Sequence, residues 1–176
     1  MSASPQPIVR RAAAADATFL PDIERSAACA FRQLPDLGWT PGNFVESVEE
    51  HLASISRGTL WVAESDASVV GFLTAEIIGA ELHIDEFDVH LDHQRQGIGR
   101  KLLSAVVEYA REEGLEALTL TTFRDVPWNA PFYSSAGFSA VEQSEVSPRL
   151  KSILELEVEH GLPQGKRCAM RMKIVR

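Results

Sequence analysis

The sequence is short of the features that mark several special classes of protein. It has two cysteines in 176 residues, and no stretch rich in proline, glycine or serine divides it. No segment approaches the roughly 18 consecutive apolar residues of a membrane span. We therefore expect neither a disulfide framework nor a membrane protein, and we predict a single domain over residues 1–176.

Positive charge is also scarce. Lysine and arginine number 17 against 25 aspartates and glutamates, which gives a net charge of −8. An acidic excess of this size argues against nucleic acid and against anionic membrane surfaces as partners. It does not exclude the binding of small anionic ligands, because their binding depends on local charge.

The few cysteines and the polar start of the chain indicate where the protein works. Residues 1–7 lack the basic and apolar regions of a signal peptide, and we expect them to be flexible. Cys29 and Cys168 lie far apart and outside any metal or redox motif, which is typical of packed thiols in a reducing compartment. The sequence predicts a cytoplasmic protein.

Helix and strand signals alternate along the first third of the chain. Asp16 is placed to cap a helix that runs towards Phe31. The pair Thr40 and Pro41 is typical of a cap followed by a proline at the first helical position. The predicted elements are a strand at 8–12, the helix after Asp16, a loop at 33–39 and a helix at 43–56.

The rest of the chain predicts a mixed sheet. Apolar runs separated by short turns favour antiparallel strands, and a long amphipathic helix after Gly97 and Gly99, closed by Gly114, then leads to another strand. Strand, helix and strand in this order predict a parallel βαβ crossover. The predicted strands are 60–64, 69–77, 82–89, 117–123, 138–141 and 168–174, with later helices at 131–136 and 148–160. The fold class is α+β, with a mostly antiparallel central sheet and helices on both faces.

The most informative motif is Gln-Arg-Gln-Gly-Ile-Gly-Arg-Lys at residues 94–101. Its glycines lie between a strand and a long helix, where unpaired helical N–H groups form an anion site suited to a pyrophosphate. Arg95, Arg100 and Lys101 add local positive charge. The alternative is a plain strand-to-helix turn. A P-loop is excluded because no Gly-Lys-Ser/Thr follows, and a dinucleotide fingerprint would need glycine in place of Leu102.

A second motif occupies residues 127–138. Asn129 is a good N-cap for a short helix, and Tyr133 lies four residues later on the same face. Taken alone, this pattern is better explained by a capping asparagine with Phe132 and Tyr133 packed in the core.

Together the two motifs resemble the GNAT superfamily of acyl-CoA-dependent N-acyltransferases. The order is strand, Gln-x-x-Gly-x-Gly, long helix, strand, Asn-x-x-x-Tyr helix and then Gly-Phe opening a further strand, over roughly residues 82–141. The resemblance implies a GNAT-like fold. It also implies an N-acetyltransferase that moves an acetyl group from acetyl-CoA to a primary amine by direct attack in a ternary complex.

The resemblance also implies roles for individual residues. Backbone groups at the end of the strand would pair with pantetheine, the amides of the turn would bind the pyrophosphate, and the strands at 82–89 and 117–123 would splay apart to admit the thioester. Asn129 would hold the pantetheine end, and Tyr133 would protonate the leaving thiolate. The implied cofactor-binding residues are Val89, His90, Leu91, Gln94, Arg95, Gln96, Gly97, Ile98, Gly99, Arg100, Asn129 and Tyr133.

A general base is needed because an alkylamine with a pKa of about 10.4 is protonated at neutral pH. Glu86 is the first candidate, since it lies on the strand leading to the acyl site, and a backbone N–H near Leu91 is the candidate for the oxyanion. Glu81, His83 and Asp88 share the strand with Glu86. A metal site built from His83, His90 and His93 is not expected, because one segment supplies all three.

The acceptor is less defined than the donor. A small-molecule or peptide amine fits the aromatic and acidic residues in the two loops that resemble an acceptor wall, although core packing explains the aromatics equally well. These residues are Phe31, Leu34, Trp39, Phe123, Arg124, Asp125 and Trp128. The resemblance is also compatible with a homodimer. The alternative function is a non-catalytic module that binds acyl-CoA as a sensor.

Overall fold

A computed structural model describes residues 6–35, 37 and 45–175, which divide into two compact units. The first unit holds the residues up to Glu76 together with Ile84–Tyr109, and the second holds Ile77–His83 and the residues from Ala110 onwards. The predicted cap at Thr40 and Pro41, the aromatic Trp39 and the first five residues lie outside the described residues.

The described residues form one mixed sheet. The strand Glu81–Val89 pairs in parallel with the strand Ala117–Phe123, from Glu81 opposite Ala117 to His83 opposite Thr119, and four further strand pairings are antiparallel. This confirms the α+β prediction. In hydrogen-bonded order β1-β2-β3-β4-β5-β7-β6, the strands are β1 (Ile8–Arg11), β2 (Leu60–Ser65), β3 (Ser68–Ile78), β4 (Glu81–Val89), β5 (Ala117–Phe123), β6 (Ser139–Ala140) and β7 (Arg167–Lys173).

Five α-helices occur in the described part of the chain, together with short 3₁₀ turns. The long helix after the glycine turn and the helix that follows Ser147 lie where the sequence predicts them. No helix within the described ranges has the length and apolar character to cross a bilayer. The helices are α1 (Leu20–Ala28), α2 (Val48–Arg57), α3 (Ile98–Glu112), α4 (Ala130–Ser135) and α5 (Pro148–Glu159).

Two predicted helix starts are wrong, and each has a physical reason. Asp16 does not cap α1. It lies inside a preceding 3₁₀ turn, where its carboxylate accepts from the Ala13 N–H at 2.7 Å and pairs with Arg10 at 2.7 Å. The second helix begins at Val48, because Ser47 and Glu50 form a reciprocal capping box that stops it from starting earlier.

The core of the first unit lies where α1 covers β2 and β3. Leu20 and Ile23 pack with Leu60, Val62 and Phe72, and all five side chains are at most 3% exposed. The spacing of Leu20, Ile23 and Ala27 places an apolar stripe along one side of α1, as expected for a half-buried helix.

The end of β4 lies very close to β3 at one glycine. An added Cβ at Gly71 would lie 3.0 Å from the Asp88 carbonyl oxygen, 3.2 Å from Val89 Cγ2 and 3.4 Å from Leu102 Cδ1. A Cβ at position 71 would therefore press against the β4 backbone and against helix α3, and the absence of a side chain at Gly71 permits this close approach.

We expect Gly71→Ala to destabilise the protein by about 1–3 kcal/mol, because overpacking forces backbone shifts in a close-packed region. Urea unfolding measures the change, provided that the free energy of unfolding falls with urea concentration at the same slope in both proteins. Ser68→Ala, at the exposed start of the same strand, is the matched control and should stay within about 0.5 kcal/mol of the wild type. Equal stability of the two variants would contradict the close approach.

Candidate functional site

A side-chain hydrogen bond from Gln94 closes the segment between β4 and α3. Gln94 Nε2 donates to the Val89 carbonyl oxygen at 3.0 Å, across the base of the turn. Arg95 has φ 59° and Gly97 has φ 81°, both in the left-handed region. Gly97 adopts this conformation without strain, whereas Arg95 is a non-glycine residue held there by the surrounding turn.

The first turn of α3 begins at the end of this segment. The Lys101 N–H donates to the Gly97 carbonyl at 3.1 Å, so the N–H groups that precede Lys101 in the first turn have no partner within the helix. Arg95, Gln96, Gly97 and Arg100 are exposed. A helix N-terminus with accessible amides and adjacent arginines is suited to a phosphate or pyrophosphate.

The sequence predicts that Lys101 adds positive charge to this turn, but its side chain makes its contacts elsewhere. Its ammonium donates to Gln6 Oε1 at 2.8 Å and to the Pro7 carbonyl at 3.2 Å. The lysine thus binds the segment before β1, and Arg95 and Arg100 remain the cations of the turn.

Several backbone groups at the end of β4 already have partners within the chain. The His90 N–H donates to the Val70 carbonyl at 2.8 Å, and the Leu91 N–H donates to Ser26 Oγ on α1 at 3.0 Å. The Leu91 amide, which the sequence suggested for an oxyanion, is therefore bonded to a side chain in this structure.

Two carboxyl groups form a pair near the end of the same strand. Burial raises the pKa of Asp88 well above its ordinary range, and the negative charges of Glu86 and Glu24 and a hydrogen bond with Glu86 raise it further. Asp88 therefore retains its proton at a pH where an exposed aspartate is ionised. Two carboxyl groups that interact in this way titrate as a unit.

The other candidate bases on β4 have structural partners in the second unit. Glu81 pairs with Arg149 at 3.2 Å and with Arg171 at 2.9 Å. His83 is buried, and its Nδ1 lies 2.9 Å from Thr119 Oγ1. Burial, aided by the charge of Arg149, lowers the pKa of His83 to about 4, so the ring is neutral at neutral pH.

Asn129 occupies the N-cap position of α4 but does not cap the helix with its side chain. Its Oδ1 is buried, and no protein group forms a hydrogen bond to it in the described chain. A buried amide oxygen without a partner is costly, so it needs an explanation beyond helix capping. A ligand with an N–H or O–H donor would satisfy it.

Tyr133 lies on α4 and is 8% exposed. Its ring makes edge contacts with Phe132 at 5.3 Å and Phe138 at 5.6 Å between centroids. Its backbone joins both motif residues, since the Tyr133 N–H donates to the Asn129 carbonyl and the Phe138 N–H donates to the Tyr133 carbonyl, each at 3.0 Å. The ring is thus fixed in orientation by aromatic packing.

The predicted acceptor-wall residues divide between core and surface. Phe123 is 5% exposed and lies under the Arg167 guanidinium, with 4.7 Å between Arg167 Cζ and the ring centroid. Trp128 is 36% exposed, and Arg124 and Asp125 are exposed on the same turn. Phe123 therefore has the core role that the sequence left open, and Trp128 remains accessible to a ligand.

Both cysteines are free thiols. Cys168 is buried in β7, and burial raises the pKa of its thiol. A buried thiol that resists ionisation is a poor nucleophile, which agrees with the absence of any cysteine motif in the sequence.

Sequence reasoning missed a group of three polar residues in the first unit, two of them buried. Glu24 on α1 is 5% exposed, His51 on α2 is fully buried, and Glu46 lies beside them. Glu24 lies on the apolar side of α1, next to Ile23 and Ala27. A charged residue at a core position of an amphipathic helix was the available signal.

Known proteins with related sequences and structures include several N-acetyltransferases. The chain is 32% identical over 119 residues to N-acetyltransferase 8 of Homo sapiens, which covers 62% of this chain and 52% of that protein. The chain spans about half the length of the curated relatives it matches.

Solved structures match over nearly the whole chain. PaiA N-acetyltransferase of Thermoplasma acidophilum, in complex with coenzyme A, has a TM-score of 0.73 at 17% identity and covers 96% of this chain and 99% of that one. YncA of Salmonella typhimurium, solved with acetyl-CoA, has a TM-score of 0.69 at 19% identity over 98% of this chain and 96% of that one. At these identities the likeness shows the fold.

The family assignment rests on the sequence itself. The model of the Acetyltransferase (GNAT) family matches residues 23–138, more than half of the chain, and includes both motifs up to Phe138. The strand order, the exposed turn before α3 and the Asn129–Tyr133 helix agree with that match. This chain belongs to the GNAT acetyltransferase family.

Proposed function

We propose that the protein is an N-acetyltransferase that transfers an acetyl group from acetyl-CoA to a primary amine, by direct attack in a ternary complex. The observation that carries the proposal is the exposed turn before α3. It combines left-handed Arg95 and Gly97, first-turn amides and two arginines in an otherwise acidic chain. Membership of the GNAT family and structural neighbours solved with CoA or acetyl-CoA support it.

The donor-binding roles divide by type of contact. Amides from Arg95 to Arg100, including those of Gln96, Gly97, Ile98 and Gly99, bind the pyrophosphate. Gln94 acts indirectly, because its side chain is committed to Val89 and shapes the turn. The carbonyl oxygens of Val89, His90 and Leu91 each accept one hydrogen bond within the chain and retain a second lone pair for a pantetheine N–H. Asn129 accepts a hydrogen bond from the donor molecule through its unsatisfied Oδ1.

The reaction needs a proton acceptor, an oxyanion donor and a proton donor. The Glu86–Asp88 pair takes a proton from the ammonium, directly or through water, and frees the nitrogen lone pair. The nitrogen then bonds to the thioester carbonyl carbon, and the carbonyl oxygen gains negative charge. On collapse the C–S bond breaks, and Tyr133 protonates the leaving thiolate. The extra proton on the attacking nitrogen then passes through water to the Tyr133 phenolate, which leaves a neutral amide. No covalent enzyme intermediate is needed.

We assign the oxyanion contact to the Val89 N–H in place of the Leu91 N–H. The Leu91 amide is bonded to Ser26, and the His90 amide is directed to β3 through Val70. Successive residues of a strand direct their backbone groups to opposite sides, so the Val89 N–H is directed away from β3. A fixed backbone donor stabilises developing charge without reorganisation.

The acceptor class is a small-molecule or peptide amine. Exposed Trp128 and Asp125 suit a cationic amine, and exposed Arg124 suits an acceptor that also carries a carboxylate. Two further predictions remain. A cytoplasmic location rests on the two free thiols, and a homodimer rests on the family resemblance alone.

Release of free thiol from acetyl-CoA, measured with a panel of amines and with longer acyl-CoAs, tests the proposed function. We expect amine-dependent thiol release with at least one class of amine. Tight CoA binding in calorimetry without turnover on any amine would favour an acyl-CoA sensor instead. Absence of CoA binding would contradict both the acetyltransferase and the sensor hypotheses.

Tyr133→Phe should lower kcat by about 100-fold or more, because the variant lacks the general acid, while CoA affinity stays within about twofold. Steady-state kinetics and calorimetry measure the two quantities. Phe132→Leu, which alters the neighbouring packing and leaves the hydroxyl, is the control. Collapse of CoA binding in Tyr133→Phe would mean that the tyrosine has a packing role.

The raised pKa of Asp88 predicts how stability depends on pH. Above the ordinary aspartate pKa of about 3.9 the unfolded chain releases this proton, while the folded protein keeps it until the raised pKa is passed. The contribution of Asp88 to stability is therefore lost as pH rises through that interval. Asp88→Asn should remove this loss, so the variant gains stability relative to the wild type as pH increases.

Urea unfolding at intervals between about pH 5 and pH 8 measures this dependence. Asp66→Asn, at an exposed turn, is the control and should follow the wild type across the series. If Asp88→Asn and the wild type lose stability in parallel, Asp88 does not hold its proton.

A further inference from the structure

His51 is a fully buried histidine that the proposed chemistry does not use, and two carboxyl groups lie against its ring. The Nε2 atom lies 2.7 Å from Glu24 Oε1, and the Nδ1 atom lies 3.3 Å from Glu46 Oε2. The three residues come from α1, from the segment before α2 and from α2 itself. Each offers one ligand atom, and these three atoms lie within 4.8 Å of one another.

These short contacts do not have the geometry of hydrogen bonds. Glu24 Oε1, Glu46 Oε2 and both ring nitrogens of His51 are buried, and no group in the described part of the chain forms a hydrogen bond with them. The two distances are short enough for hydrogen bonds, so the oxygens lie off the axes along which the ring nitrogens donate or accept. An oxygen beside such an axis is where a second ligand of a shared cation lies, because the cation itself occupies the axis.

Four unsatisfied polar atoms in one place need an explanation, because nearly all buried polar groups in folded proteins have a hydrogen-bond partner. A divalent cation would satisfy one atom of each of the three residues. Its binding would also displace any proton that these ligand atoms carry, since metal ligands must be deprotonated. The arrangement therefore fits a cation site whichever protonation state the three side chains have without the ion.

The surroundings hold the three side chains in place. Phe72 makes an edge contact with the His51 ring, at 5.3 Å between centroids and 82° between planes, which restricts rotation of the imidazole. Glu24 Oε2 accepts from the Glu46 N–H at 3.0 Å, and this bond leaves Oε1 directed to the ring. Outer contacts that orient the ligands are typical of metal sites. The Glu46 side chain is 34% exposed, which gives an ion access from solvent.

The ligand types select the class of cation. One imidazole nitrogen with carboxylate oxygens suits a divalent transition-metal ion such as Zn²⁺. Mg²⁺ and Ca²⁺ prefer oxygen ligands alone, and Cu(I) prefers sulfur. The group contains no cysteine.

We propose that Glu24, Glu46 and His51 form a binding site for one divalent transition-metal ion of the Zn²⁺ type. The ion has a structural role, because it joins α1 to the start of α2 within the first unit. The inference goes beyond acetyl transfer, none of whose steps uses these three residues.

Calorimetric titration of Zn²⁺ into the full chain, freed of any affinity tag and treated with a chelator, tests the site. We expect one ion per chain, with no competition from a large excess of Mg²⁺. His51→Gln should weaken binding by about 100-fold or more, and Glu24→Gln and Glu46→Gln by about tenfold or more, because each variant alters a ligand. His160→Gln and Glu49→Gln, at exposed residues, are the matched controls and should stay within about twofold.

Thermal unfolding gives a second readout. Zn²⁺ at about 100 times its Kd should raise the unfolding midpoint of the wild type by about 5 °C or more, since the ion binds the folded chain. The same concentration should leave the midpoint of His51→Gln unchanged. An equal rise in both proteins would place the ion elsewhere and overturn the proposal.

Cobalt substitution identifies the ligand atoms. Co²⁺ bound to nitrogen and oxygen ligands absorbs in the visible range, and thiolate ligands add a strong charge-transfer band in the near ultraviolet. We expect visible bands that are lost in His51→Gln, without a thiolate band. A thiolate band would assign the metal to a cysteine and contradict the proposed ligands.

Defined results overturn the proposal. Absence of binding at millimolar Zn²⁺, or an affinity that is the same in the wild type and the three ligand variants, would show that Glu24, Glu46 and His51 do not hold a metal. Should His51→Gln fail to fold, Glu46→Gln decides, because it changes a partly exposed side chain and keeps its shape. These measurements need neither CoA nor an amine, so their outcome is separate from that of the proposed function.

Discussion

The hydrogen bond from Gln94 to the Val89 carbonyl is the constraint on which the donor side of the molecule depends. It closes the turn immediately after β4, and the turn then passes through two left-handed residues before α3 begins. The N–H groups of the first turn of α3 have no partner within the helix, as at any helix start. Gly71 supports this geometry from β3, where a side chain would displace the last residues of β4.

Local charge explains how an acidic protein can bind a pyrophosphate. The net charge of −8 is unevenly distributed, with Arg95 and Arg100 at the turn and several carboxylates inside the first unit. Burial and the nearby charges of Glu86 and Glu24 raise the pKa of Asp88. The same carboxylates suit a cationic amine, so the acidity that argues against nucleic acid agrees with the proposed acceptor.

Local patterns in the sequence were enough to predict most of the fold. The alternation and branched residues of β2 to β5 and the apolar spacing of α3 depend on neighbours within a few positions, and these elements were predicted to within about two residues. The starts of helices were predicted less accurately, because capping depends on individual side-chain hydrogen bonds. Asp16 bonds to Arg10 and to the Ala13 N–H, and the Ser47–Glu50 capping box sets the start of α2.

The site was predictable only where its residues are close together in the sequence. The turn and the Asn129–Tyr133 pair are short motifs, and the structure adds the unsatisfied Asn129 oxygen that helix capping does not explain. The Glu24–His51 contact joins residues 27 positions apart on two helices, so no spacing rule reveals it. The bond between Leu91 and Ser26 spans 65 positions and altered the predicted oxyanion donor for the same reason.

The central claim is that the turn before α3 binds the pyrophosphate of acetyl-CoA. Calorimetric titration of CoA into wild-type protein and Gly99→Glu tests it most directly, with Ser104→Glu as a control that adds the same charge farther along α3. We predict that Gly99→Glu weakens binding by about 100-fold or more, through bulk and like charge beside the pyrophosphate, while the control stays within about threefold. Unchanged CoA affinity in Gly99→Glu would contradict the claim.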